Sequence, residues 1–117
     1  MANRHRGEIC AVLDGESRTL VLTLGALAEL EAAFAVDDLV ALAERFGRGR
    51  LAAADMARVI GAGLRGAGAA ISDAEVAGLR AEGGAAGFAR IVSALLAATF
   101  GAPEAADPAR PPPPQAP

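Results

Sequence analysis

The stretch from Thr23 to Phe34, TLGALAELEAAF, constrains the fold more than any other, because an apolar period of two ends there and a helical period begins. Upstream of it Ile9, Ala11 and Leu13 point one way, and Leu20 and Leu22 repeat the alternation on a second run, Arg18 to Thr23. Between the two runs, Asp14-Gly15-Glu16-Ser17 is turn chemistry, so a β-hairpin is predicted. Two registers compete. A two-residue Asp14-Gly15 turn sets Leu13 opposite Glu16 and Ala11 opposite Arg18. A four-residue loop sets Ile9 opposite Leu22 and Ala11 opposite Leu20; it pairs apolar with apolar and is the register expected. A lone hairpin is marginal in water and needs a cover. The helix that follows is expected to supply it as a lid, with Thr23 as N-cap and Leu24, Leu27, Leu30 and Phe34 on one stripe. Glu29 and Glu31 are expected on its solvated face.

Four more helices are predicted downstream. Asp37 is the expected cap of the second, whose Leu39, Leu42, Ala43 and Phe46 fall at the spacing of a core-facing stripe, with Gly47 as terminator. The third runs from about Ala52 to Leu64 with Met56, Val59, Ile60 and Leu64 on one face, and Gly66 and Gly68 end it. The clearest local signal is Ser72-Asp73-Ala74-Glu75, a capping box flanked by an Ile71–Val76 staple. It opens a fourth helix expected to reach about Glu82, with Val76 and Leu79 inward. The fifth, Ala85 to Phe100, carries Phe88, Ile91, Val92, Leu95 and Thr99 on one stripe with Leu96 and Phe100 beside it. As the most apolar helix it is expected at the centre of the helical half. The fold class is therefore α+β and mostly α: an N-terminal hairpin packed on about five short helices. Its expected core comprises Ile9, Leu20, Leu22, Leu27, Leu30, Phe34, Leu42, Val59, Ile60, Val76, Leu79, Phe88, Ile91 and Leu95.

Domain organisation follows from the two ends. Residues 1–6 read as a polar, flexible leader, 7–101 as a single domain, and 102–117 as a Pro-rich tail without the apolar content for a packed core, expected to be disordered. Alanine makes up about a quarter of the chain and aromatic residues only 3%. Alanine buries little area, so each Leu, Ile, Val and Phe carries more of the core than usual.

Charge excludes more than it identifies. The net charge is −3, every basic residue is arginine, and neither sign forms a long run. No footprint for nucleic acid or an anionic membrane results. The single cysteine, Cys10, fits a reducing compartment, no signal peptide is visible, and no apolar run is long enough to span a bilayer; a cytoplasmic protein is expected.

Chemical motifs are few. Gly61, Gly63 and Gly66 match G-x-G-x-x-G, but they fall at the C-terminal end of a predicted helix, which turns carbonyls toward an anion, so helix termination and close packing are the expected use. His5 stands alone in the leader, and Cys10 has no second thiol. Asp37-Asp38 is explained by capping. No nucleophile, base and orienting group come together, so an enzyme is not expected, nor is a metal or cofactor.

The runs LTLGALAELEAAF, DDLVALAERF, IGAGLRGAG, ISDAEVAGL, EGGAAGFARIV and LLAATFG resemble the small proteins of the gene transfer agent family, encoded in the phage-like tail region of those particles. The resemblance covers about Arg4 to Gly101. It implies a role in building a tail, without catalytic or ligand residues, either as a tail assembly chaperone or as a tail tube component retained in the particle. A tube wall needs long strands, and one hairpin with five helices offers too few, so the helical pattern favours the chaperone. Its implied partners are the tail tape-measure protein and the tail tube protein. Phe46, Leu96 and Phe100, at the ends of the second and fifth helices, are candidate partner-binding residues for amphipathic helical segments; the same three also fit a core.

Overall fold

A computed structural model describes residues 7–48 and 51–101. The leader 1–6, with His5, and the tail 102–117 lie outside the described residues. The described residues form an antiparallel hairpin, β1 (Glu8–Leu13) and β2 (Glu16–Val21), and then five helices, and are mostly helical as expected.

The hairpin closes through the two-residue turn, with Leu13 opposite Glu16, Ala11 opposite Arg18 and Ile9 opposite Leu20. The expected four-residue loop does not form. Asp14 and Gly15 both take positive φ, 54° and 78°, the backbone of a type I′ turn whose twist matches that of the strands. The two registers differ by two residues, so both keep Ile9, Ala11, Leu13 and Leu20 on one face. Burial therefore does not choose between them, and turn geometry does.

Helix α1 (Leu24–Phe34) starts where Thr23 Oγ1 accepts a hydrogen bond from the Ala26 N–H at 3.1 Å. It ends on Ala35, a non-glycine residue at φ 54°, with the Val36 N–H returning to the Glu31 carbonyl at 3.0 Å. This is a Schellman-type end with a side chain where glycine is preferred. Ala35→Gly is expected to stabilise the protein by about 0.5–1 kcal/mol, the left-handed strain relieved less the added chain entropy, seen as a higher urea midpoint. Helix α2 (Leu39–Gly47) is capped by Asp38, whose Oδ1 accepts from the Ala41 N–H at 2.8 Å, and not by Asp37. Gly47 is its last residue.

Helix α3 (Ala53–Gly66) closes with the Gly68 N–H on the Arg65 carbonyl and the Ala69 N–H on the Leu64 carbonyl, Gly68 standing at φ 102°. Helix α4 (Asp73–Ala77) begins with the expected reciprocal cap, Glu75 N–H to Ser72 Oγ at 3.1 Å and Ser72 N–H to Glu75 Oε1 at 2.9 Å. It stops five residues later, well short of Glu82. The next backbone is engaged elsewhere: Ala81 bridges Leu13, the Asp14 N–H donates to the Arg80 carbonyl at 2.7 Å, and the Arg80 N–H donates to Asp14 Oδ1 at 2.7 Å. Pairing with the hairpin tip competes with helix continuation and prevails there. Helix α5 (Gly84–Phe100) completes the chain.

The centre of the fold is α3, not α5. Residues Val59 to Leu64 are all buried, and α3 packs against β2, α1, α4 and α5. Small residues make this approach possible. A Cβ on Gly63 would stand 2.7 Å from Leu95 Cδ2 and 3.2 Å from Leu20 Cβ, and one on Gly66 would overlap the Val21 carbonyl oxygen. The lid on the hairpin is consequently α3 against β2 with α5 against β1, while α1 rests on α3 and α2. Of the expected core, Ile9, Leu20, Leu22, Leu27, Leu30, Leu42, Val59, Ile60, Val76 and Leu95 are buried. Phe34, Leu79, Phe88 and Ile91 are half-buried against it. Leu13, Leu64 and Val92 are as deeply buried as any of these.

Candidate partner-binding surface

Because α4 is so short, the groove between α3 and α5 stays open at one end. The result is an apolar cleft of about 240 Å³, lined by Ala53, Ala54, Met56, Ala57 and Ile60 of α3, Val76 and Ala77 of α4, and Ala85 and Phe88 of α5. Ile60 and Val76 form its buried floor, Met56 and Phe88 are half-buried walls, and the alanines are exposed or half-buried. No charged side chain lines it. An apolar concavity with small residues at its rim is the shape into which a helix lays an apolar face.

The sequence candidates fall elsewhere. Phe46 is buried and packs edge-on against Phe34, ring centroids 5.3 Å apart, with the Arg45 guanidinium 5.2 Å above the Phe34 ring. That pair joins α1 to α2, and the Phe46 ring is closed to a partner. Leu96 and Phe100 are half-buried on the C-terminal half of α5, away from the cleft at its N-terminal half. The three therefore do not form one surface. Met56 and Phe88, expected on the apolar stripes of their helices, are walls of the cleft. What hid the cleft was the length of α4, which pattern alone extends across it.

The main polar cluster is structural. Arg65, in the last turn of α3, donates from Nη1 to the Ile71 carbonyl at 2.9 Å, stands 3.0 Å from Asp73 Oδ1, and bonds Glu29 Oε1 through Nη2. It ties α1, the α3–α4 connection and the start of α4 together. The hydrogen bond to Glu29 holds the Arg65 pKa above its ordinary value despite the opposing effect of burial, with Asp73 adding in the same direction. Glu29 thus has a partner in place of the purely solvated face expected for it, a contact between residues 36 apart in the chain. Nearer α2, Asp55 accepts from the Ala52 N–H at 3.0 Å and pairs with Arg45 at 3.3 Å.

Gly61, Gly63 and Gly66 lie within α3, where added Cβ atoms would meet Asp73, Leu95 and Val21, so they serve close packing rather than a phosphate. Cys10 Sγ is 3.0 Å from Ser17 Oγ on the exposed face of the hairpin. Among the described residues no group of three His, Cys, Asp or Glu side chains could hold a metal ion. No helix among them is long and apolar enough to cross a membrane.

The class defined by this fold and surface is a small, mostly helical, hairpin-bearing protein whose open feature is an apolar cleft. The chain belongs to the phage tail tube protein, GTA-gp10, family, whose model matches residues 6–102. No curated protein and no solved structure matches it. Membership assigns the chain a tail-related structural or assembly role among proteins that are typically not enzymes.

Proposed function

We propose that the chain is a tail assembly chaperone that holds an amphipathic helical segment of the tape-measure protein in the cleft between α3, α4 and α5 while the tube polymerises. The observation that carries this reading is the cleft itself: an open, uncharged, helix-walled groove on a chain of a tail protein family. The scarcity of strand supports it too. The two-stranded sheet of the described residues offers little from which to build a tube wall. Residues 7–101 are the unit that acts, in the cytoplasm of the cell producing the particles.

Co-expression of the full chain with the tape-measure protein, followed by pull-down, tests the proposal. The two are expected to co-purify. The double substitution Ala54→Glu, Ala85→Glu, at exposed positions lining the cleft, is expected to weaken the association about tenfold or more by placing two charges in an apolar contact. Unchanged binding by a variant with wild-type circular dichroism would overturn the assignment of the cleft.

A second reading is favoured by the family's own description as tail tube protein: a structural component retained in the particle. Composition of purified particles separates the two. A chaperone is absent or substoichiometric there, whereas a structural component is present in fixed ratio to the tube.

A further inference from the structure

The turn Asp14-Gly15 carries chemistry that neither the cleft nor the tail role uses. The chain contains aspartate at 14, 37, 38, 55, 73 and 107, and only Asp14 is followed by glycine. Glycine has no Cβ to shield its backbone nitrogen. In an Asp-Gly pair that nitrogen can attack the aspartate Cγ, forming a new C–N bond and expelling the carboxyl hydroxyl as water. The product is a five-membered succinimide. Water then adds to either ring carbonyl. Opening at the main-chain carbonyl breaks the original Asp–Gly bond and leaves the chain running through Cγ as isoaspartate. The net mass change is zero, and no oxidant or partner is consumed.

The fold holds this reaction off. Asp14 is exposed, yet its Oδ1 accepts from the Arg80 N–H at 2.7 Å and its own N–H donates to the Arg80 carbonyl at 2.7 Å. The adjacent Leu13 bridges Ala81. These contacts fasten the hairpin tip to the connection between α4 and α5 and restrain the carboxylate that has to approach the Gly15 nitrogen. We propose that Asp14 is a site of spontaneous isoaspartate formation gated by the Asp14–Arg80 clasp. A conversion is self-locking. The isoaspartyl link adds one methylene to the main chain, and a turn one atom longer no longer fits a two-residue type I′ geometry, so the clasp cannot close again. A tip that stays open long enough to react thereby becomes permanently open.

The test compares ageing of the full chain at 37 °C and neutral pH, folded in buffer and unfolded in 8 M urea, with isoaspartate located by peptide mapping and fragment-ion mass spectrometry. Isoaspartate is expected at Asp14, forming at least about tenfold faster in urea, because local opening limits the folded reaction. Arg80→Pro removes the donating N–H. If this variant keeps the wild-type circular dichroism, its folded rate is expected to approach that in urea. If it does not fold, a series of urea concentrations below the unfolding midpoint replaces it, and the rate is expected to rise before global unfolding begins. Asp14→Glu, which cannot form the five-membered ring, is expected to abolish the signal. Equal rates in buffer and urea would overturn the gating, and isoaspartate mapping to another residue would overturn the site.

Discussion

Gly66→Ala is expected to destabilise the protein by about 3 kcal/mol, against the usual sign for a helix interior, where the change to alanine stabilises by about 0.5–1 kcal/mol. The reason is the neighbour. A methyl group at position 66 would overlap the Val21 carbonyl oxygen, stand 3.2 Å from the Val21 carbonyl carbon and touch the Thr23 backbone nitrogen at 3.5 Å. Those atoms belong to the end of β2 and the cap of α1, so no flexible side chain can swing aside. Either the last turn of α3 lifts from the hairpin or β2 bends. Both outcomes open the contact that covers the hairpin. Gly47→Ala is the control: nothing lies within 4 Å of its added Cβ, and it is expected to be neutral or mildly stabilising. Urea unfolding of the two variants with wild type measures the contrast. A stabilised Gly66→Ala would mean that α3 does not sit on β2 as described.

The second large effect is expected at Leu95, which is fully buried and meets Gly63 of α3 in the region where Leu20 of β2 also packs. Truncation leaves a hole where α5, α3 and the hairpin converge. The surroundings close it poorly, because the facing residue on α3 is a glycine held near its packing limit. Leu95→Ala is expected to lose about 4 kcal/mol, in the upper half of the range for a buried leucine. Leu24→Ala, at a side chain 76% exposed, is expected to change stability by less than about 0.5 kcal/mol. Thermal unfolding of both, read with the urea midpoints, tests whether α5 is anchored at this point.

Much of the fold was legible because its signals are local. The Thr23 and Ser72 caps use side chains three residues from the N–H groups they bind, and the stripes of α3 and α5 follow the helical period, whereas Leu24, expected on the α1 stripe, is exposed. The errors share a different cause. Cross-strand pairs do not fix the hairpin register, because both registers bury the same face; the positive φ of Asp14 and Gly15 decides it. Helix α4 is shorter than its pattern implies because its competitor is a strand-like contact with the hairpin tip, 66 residues away at Asp14–Arg80. Phe46, a bulky candidate by pattern, packs on Phe34. The cleft is lined by alanines around Met56 and Phe88, which in sequence give no hint of a concavity.

By itself the sequence determined that a hairpin would be followed by five helices, where most of them begin, and that the chain resembles phage-like tail proteins. Those properties rest on turn chemistry, caps and apolar period, which act over a few residues. Only the tertiary structure decided which helix is central and what covers the hairpin. It placed α3 there because Gly63 admits the Leu95 and Leu20 side chains and Gly66 the Val21 backbone at distances that larger side chains would block. Apolar content, the quantity read most easily from sequence, favoured α5. Closeness of approach depends on what lies opposite each small residue, and that is settled only when the elements meet.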